Sequence, residues 1–143
     1  IKEIFPNAKV INCKRNTLSS IVSIFQTNLI FQEWAHNLEH IFKYFDIYYK
    51  TIQTYKRTFP NFIYELQFEQ FVNDTENEAK KLMRFCELPW DKKCLEFYKR
   101  KDLISKTASN VQIRKPIYKD SLNKYSPYKK FLFKYGKEYS WFN

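Results

Sequence analysis

The stretch "AKVINCKRNTLSSIVSIF", residues 8–25, changes character once, at Arg15. Its first part, 8–13, is a short β-prone run after the turn-like "FPN" and predicts a strand. Asn16 and Thr17 are both favoured helix N-cap types, so a helix is predicted to start there. A permanent cation, Arg15, therefore stands where the strand ends, and a hydroxyl, Ser23, stands two turns into the helix. Either Arg15 is simply solvated, or something anionic sits at the helix N-terminus. In an α/β domain, ligands lie outside the carboxyl ends of the strands, where a helix N-terminus offers free N–H groups and partial positive charge.

Outward from that stretch, apolar residues recur at Leu38, Ile41, Phe42, Phe45, Tyr48, Tyr49, Ile52, Tyr55 and Phe59. That spacing predicts one long amphipathic helix from Gln32 to about Phe59, ended by Pro60 and Asn61. "FIYELQF" (62–68) is a second strand candidate. "TENE" (75–78) fits a capping box, Thr75 with Glu78, opening a further helix. "DKKCLEFY" (91–98) predicts a short helix capped by Asp91. Residues 99–120 have little periodicity and much positive charge, and a last amphipathic segment runs from Ser121 towards Tyr139. Strands alternating with helices predict an α/β architecture with a parallel sheet.

Composition narrows the function. Among 143 residues there is a single glycine, Gly136, so a complete glycine-rich phosphate loop is not present. Lys and Arg number 25 against 15 Asp and Glu, a formal net charge of +10 that favours anionic partners. Those partners could be nucleic acid, an acidic membrane surface, or phosphorylated and sulfated small molecules, but the lysines are scattered, as they are in a solvated surface. Cys13, Cys86 and Cys94 form no CxxC or Cys/His zinc spacing, so reduced thiols in a core are expected. No run of about 18 apolar residues exists, so no membrane segment is expected in this stretch. The first residue is Ile1 and not methionine, which suggests that an N-terminal portion is missing.

"HNLEH" (36–40) matches the H-x-x-E-H zinc pattern, and histidines at i and i+4 share a helix face. Catalytic zinc needs a third protein ligand, however, and none can be identified. The apolar stripe already gives this helix a reason to exist, so the zinc reading is rejected. Basic and aromatic residues interleave in "YKRTFPNFIY" and "YSPYKKFLFKYGKEY", which could stack on single-stranded nucleic acid. Their helical or strand spacing fits core packing as well, and no RNA-recognition or helix-turn-helix signature appears.

Taken in order, "FPNAKVINCKRNTLSSIVSIF", "LEHIFKYFDIYYK", "LQFEQFVND", "FCELPWDKKCLEFY" and "TASNVQIRKPIYKDSLNKY" resemble the C-terminal portion of a sulfotransferase domain. The likeness is nearest to the bacterial tetratricopeptide-repeat-linked and the tyrosylprotein sulfotransferases. The resemblance implies an α/β, P-loop-NTPase-like parallel sheet flanked by helices, with the N-terminal strand-loop-helix missing. It implies that residues 1–143 are the C-terminal portion of one such domain. The implied co-substrate is 3′-phosphoadenosine-5′-phosphosulfate (PAPS), with an unknown hydroxyl or amine acceptor and no metal or nucleic acid.

By the same resemblance, Arg15 and Ser23 hold the 3′-phosphate. The family's strand-end Tyr-Glu motif reads Phe68-Glu69 here, so Phe68 keeps ring packing near the nucleotide but not a phenol hydrogen bond. Ser109, Gln112, Arg114 and Lys115 supply further nucleotide contacts, and Lys124 resembles a family lysine near the phosphates. Two departures stand out: Arg15-Asn16-Thr17 replaces the usual arginine–acid-or-amide–proline, and Thr27 stands where the family has a further arginine. The 5′-phosphosulfate loop and the general base are expected before Ile1, so residues 1–143 alone are expected to be inactive. The alternative from another class is a non-catalytic basic module that binds nucleic acid or another polyanion.

Overall fold

The computed structural model describes residues 1–27, 29–100, 114–119 and 122–142. Strand β1 (Val10–Lys14) leads into helix α1 (Thr17–Gln26), a 3-10 turn (Glu33–His36) and the 21-residue helix α2 (Leu38–Thr58). Strand β2 (Ile63–Gln67) follows, then the short helix α3 (Phe68–Asn73) and α4 (Thr75–Phe85). A 3-10 segment (Lys92–Lys99) comes next; after 101–113, which lie outside the described residues, the chain closes with a 3-10 turn (Ser126–Tyr128) and α5 (Lys129–Gly136).

The predicted parallel sheet is present, as a pair. β1 and β2 run parallel in register from Val10↔Ile63 to Lys14↔Gln67. Parallel strands need a long crossover, and α1 and α2 supply it. Pro60 and Asn61 close that crossover, Asn61 taking a φ of 63°, a left-handed conformation that asparagine tolerates better than most residues.

α2 lies on the sheet face that carries Asn12, Lys14 and Glu65. There Tyr48 bonds Asn12, and Lys56 pairs with Glu65 at 3.0 Å. α4 reaches the other face through Phe85, whose ring lies 5.1 Å from that of Tyr64. That face is left open at β1, where Ile11 and Cys13 are exposed. Parallel sheets normally bury both faces, so this is the least covered part of the pair.

Ile21 and Val22 of α1, Leu38, Ile41 and Phe42 of α2, and Leu132 of α5 form the core. Phe42, fully buried, has the rings of Tyr135, Tyr139, Trp141 and Phe142 within 6.1 Å of its own. Such pairs add about 0.5–1.5 kcal/mol each beyond burial, which gives the aromatic-rich C-terminal segment a structural use. Burial then fades along α2, and Tyr55 is exposed.

Several expectations need correcting. α2 begins at Leu38, not Gln32, because Asn37 takes an extended conformation and caps it, its side chain accepting from the His40 amide at 3.2 Å. Thr75 is not the cap of α4: Asp74 is, with its carboxylate turned to the Asn77 amide at 3.0 Å instead of the backbone. Asp91 does cap the following turn, accepting from the Lys93 amide at 2.8 Å, though that turn is 3-10 and kinked at Glu96. The cysteines are free thiols but not core residues; Cys13 and Cys94 are exposed and Cys86 is half-buried. Cys13 falls on the face of β1 that points away from α2.

Candidate functional site

Because Lys14 pairs with Gln67, the two strands end level, and Arg15-Asn16 and Phe68-Glu69 leave the sheet side by side at its carboxyl end. The Arg15 guanidinium carbon lies 5.1 Å from the centre of the Phe68 ring, a cation–π contact. One residue on, the Asn16 amide donates to Glu69 Oε1 at 2.8 Å. Glu69 Oε2 accepts from the Gln67 side-chain amide at 2.9 Å, so both oxygens of one carboxylate are occupied.

Asn16 is also the N-cap of α1, its Oδ1 accepting from the Ser19 amide at 2.9 Å. The helix N-terminus is therefore partly closed: of its orphan amides, Thr17 and Leu18 keep no acceptor among the described residues. α2 braces this corner from behind. The Thr17 and Tyr49 hydroxyls hydrogen-bond, and the Lys14 ammonium lies 5.5 Å from the Tyr49 ring centre. Tyr48 donates to Asn12 Oδ1 at 2.7 Å. Burial, with lesser help from neighbouring charges including Glu65, pushes the Tyr48 phenol above its ordinary 10.0.

Of the residues singled out by sequence, Arg15 and Phe68 are brought into contact. Ser23 is half-buried on α1, its carbonyl accepting from the Thr27 hydroxyl at 2.7 Å. Arg114 is exposed and donates to the Arg100 carbonyl at 3.1 Å; Lys115 and Lys124 are exposed as well. Ser109 and Gln112 lie outside the described residues. Sequence reasoning met Glu69 only as the neighbour of Phe68 in the strand-end motif and gave it no role of its own, nor any to Tyr48 and Tyr49 beyond the apolar stripe.

The zinc-like spacing does not survive folding as one helical face. His36 ends the 3-10 turn with Nε2 3.2 Å from the Leu29 carbonyl, whereas His40 belongs to α2 beyond the extended Asn37. Among the described residues no three His, Cys, Asp or Glu side chains are placed to hold a metal ion. No helix of the described residues is long and apolar enough to cross a membrane.

A parallel strand pair, a helix starting from its carboxyl end and an arginine resting on Phe68 at that junction define a mixed α/β chain with one well-built corner. Residues 1–92, which include all of that corner, match the model of the Sulfotransferase family. A protein of Aquifex aeolicus (strain VF5), described only as uncharacterized, is 38% identical over 133 residues. The match covers 90% of this chain and 17% of that relative's length. The chain belongs to the sulfotransferase family.

Proposed function

We propose that this chain carries the 3′-phosphate side of a PAPS site, within a P-loop-like sheet. The protein would move a sulfuryl group from PAPS to a hydroxyl or amine acceptor. On the motifs quoted above, its nearest kin would be the tetratricopeptide-repeat-linked and tyrosylprotein sulfotransferases. One observation carries the reading: Arg15 rests on Phe68 at the carboxyl end of a parallel strand pair, where α1 begins.

The residues fit such a ligand. A guanidinium matches a phosphate with parallel N–H donors, and stacking on a ring restricts its motion. Thr17 and Leu18 N–H groups and the positive end of the α1 dipole add to it. Ser23, Ser109, Gln112, Arg114, Lys115 and Lys124 are proposed as the further nucleotide contacts, with Phe68 as the ring near the adenosine. Sulfuryl transfer, like phosphoryl transfer, depends on positioning and on stabilising charge at bridging oxygens. The part given to these residues is positioning.

The test is calorimetric titration of adenosine 3′,5′-bisphosphate into the natural protein and two variants. Arg15→Ala should cost about 1.5–3 kcal/mol of binding, the worth of a charge-assisted contact. Arg57→Ala, an exposed flank of α2, should cost little. Equal losses at the two sites would overturn the assignment.

A further inference from the structure

We infer that Glu69 is the positioning residue of this corner. It holds Arg15 on Phe68 by fixing the turn between β1 and α1. The inference rests on the proposed anion site for its functional meaning, but its geometry stands on its own. Glu69 lies at the exit of β2, yet its Oε1 accepts from the backbone amide of Asn16, at the exit of β1, at 2.8 Å. Its Oε2 is fixed in turn by Gln67 at 2.9 Å. A single side chain thus ties the two strand ends across the top of the sheet. The residues on either side of that tie, Arg15 and Phe68, are the pair in cation–π contact.

An acid beside an anion site is electrostatically unfavourable, because its charge opposes the ligand's. Its presence here makes sense if what matters is its reach and its acceptors, not its charge. Glutamine has the same reach and keeps a carbonyl acceptor for the Asn16 amide; Gln67 can turn its own amide over to offer an oxygen to the new NH₂. Alanine keeps neither. Charge and geometry are therefore separable by substitution.

The experiment uses the natural protein with arginine side chains isotopically labelled. Two quantities are read: the ring-current shift of the Arg15 side-chain protons without ligand, and the affinity for adenosine 3′,5′-bisphosphate. Glu69→Ala should abolish the shift and weaken bisphosphate binding about tenfold, the worth of a charge-assisted contact set loose. Glu69→Gln should keep the shift and bind at least as tightly as the natural protein. Glu87→Ala, removing an exposed acid paired with Lys9, is the charge control and should change neither quantity.

If Glu69→Ala does not fold, Glu69→Asp serves in its place; it is one methylene too short to span both partners, so the shift should shrink. A preserved shift in the Ala or Asp variant would overturn the inference. So would equal loss in Ala and Gln. Failure of the natural protein to bind the bisphosphate would remove the proposed function instead, while the Arg15 shift would still decide the role of Glu69.

Discussion

The Tyr48 hydroxyl donates to Asn12 Oδ1 at 2.7 Å, and the amide nitrogen of the same Asn12 is buried with no partner among the described residues. The strand centre that leads to Arg15 is thus tied to α2 by this bond. Tyr48→Phe leaves Asn12 with a second unsatisfied atom and should cost about 1–3 kcal/mol of stability. The pH dependence has a sign. Burial raises the folded-state pKa above the ordinary 10.0, so the unfolded chain loses the proton first. The contribution is whole below the unfolded value and is lost as pH rises through the folded one. Denaturant titrations from pH 8 upward should show the natural protein falling more steeply than Tyr48→Phe beyond about pH 10. Parallel curves would show that Tyr48 titrates as an ordinary phenol. Tyr64 and Tyr139, also raised by burial, cancel between the two proteins.

Gly136 is buried on α5, and a Cβ there would run into the Phe142 ring. Two effects compete in Gly136→Ala. Helix propensity favours alanine by about 1 kcal/mol, whereas forcing a methyl into a packed aromatic cluster costs about 1–3 kcal/mol. The variant should be less stable, with Phe142 displaced from Phe42. In a Phe142→Ala background the clash is gone and the same substitution should stabilise. Thermal unfolding of the four proteins of this cycle measures the coupling. A Gly136→Ala variant as stable as its parent in both backgrounds would remove Phe142 from the reason for the glycine.

Much of the fold was legible because it follows local rules. The β-branched run before Arg15, the Asn16 cap and the stripe of α2 each act through near neighbours. What misled was local as well: Glu33–His36 looks helical by pattern, so only the extended Asn37 reveals that α2 starts later. Of α3 only Phe68 falls in the strand expected over 62–68, and the rest of the helix has no expectation attached, because six residues give periodicity too little to show. The site was half legible. Arg15 stands out as a cation at a strand end. Glu69 does not, because its partner is a backbone amide 53 residues away, and a backbone partner leaves no complementary residue type to read. Cys13 was expected to be buried on the general habit of thiols, but the alternation of β1 places it opposite α2.

The last prediction separates a nucleotide site from general affinity for polyanions. Lys129, Lys130, Lys134 and Lys137 are all exposed along the C-terminal segment and account for part of the +10 charge. Such lysines attract any polyanion, by counterion release, and the attraction fades steeply as salt rises. Arg15 instead rests on Phe68, and under the proposed function that fixed geometry discriminates by where the phosphates are placed. A fluorescent adenosine 3′,5′-bisphosphate should therefore be displaced by unlabelled bisphosphate but not by adenosine 5′-monophosphate, which lacks the 3′ group. Arg15→Ala should abolish this competition and leave oligonucleotide binding unchanged. Replacing Lys129 and Lys130 with glutamine should weaken oligonucleotide binding and spare the bisphosphate. Fluorescence polarisation across a salt series reads both at once. Tight, salt-resistant oligonucleotide binding that the bisphosphate leaves untouched would make the polyanion the ligand and Arg15 a surface cation.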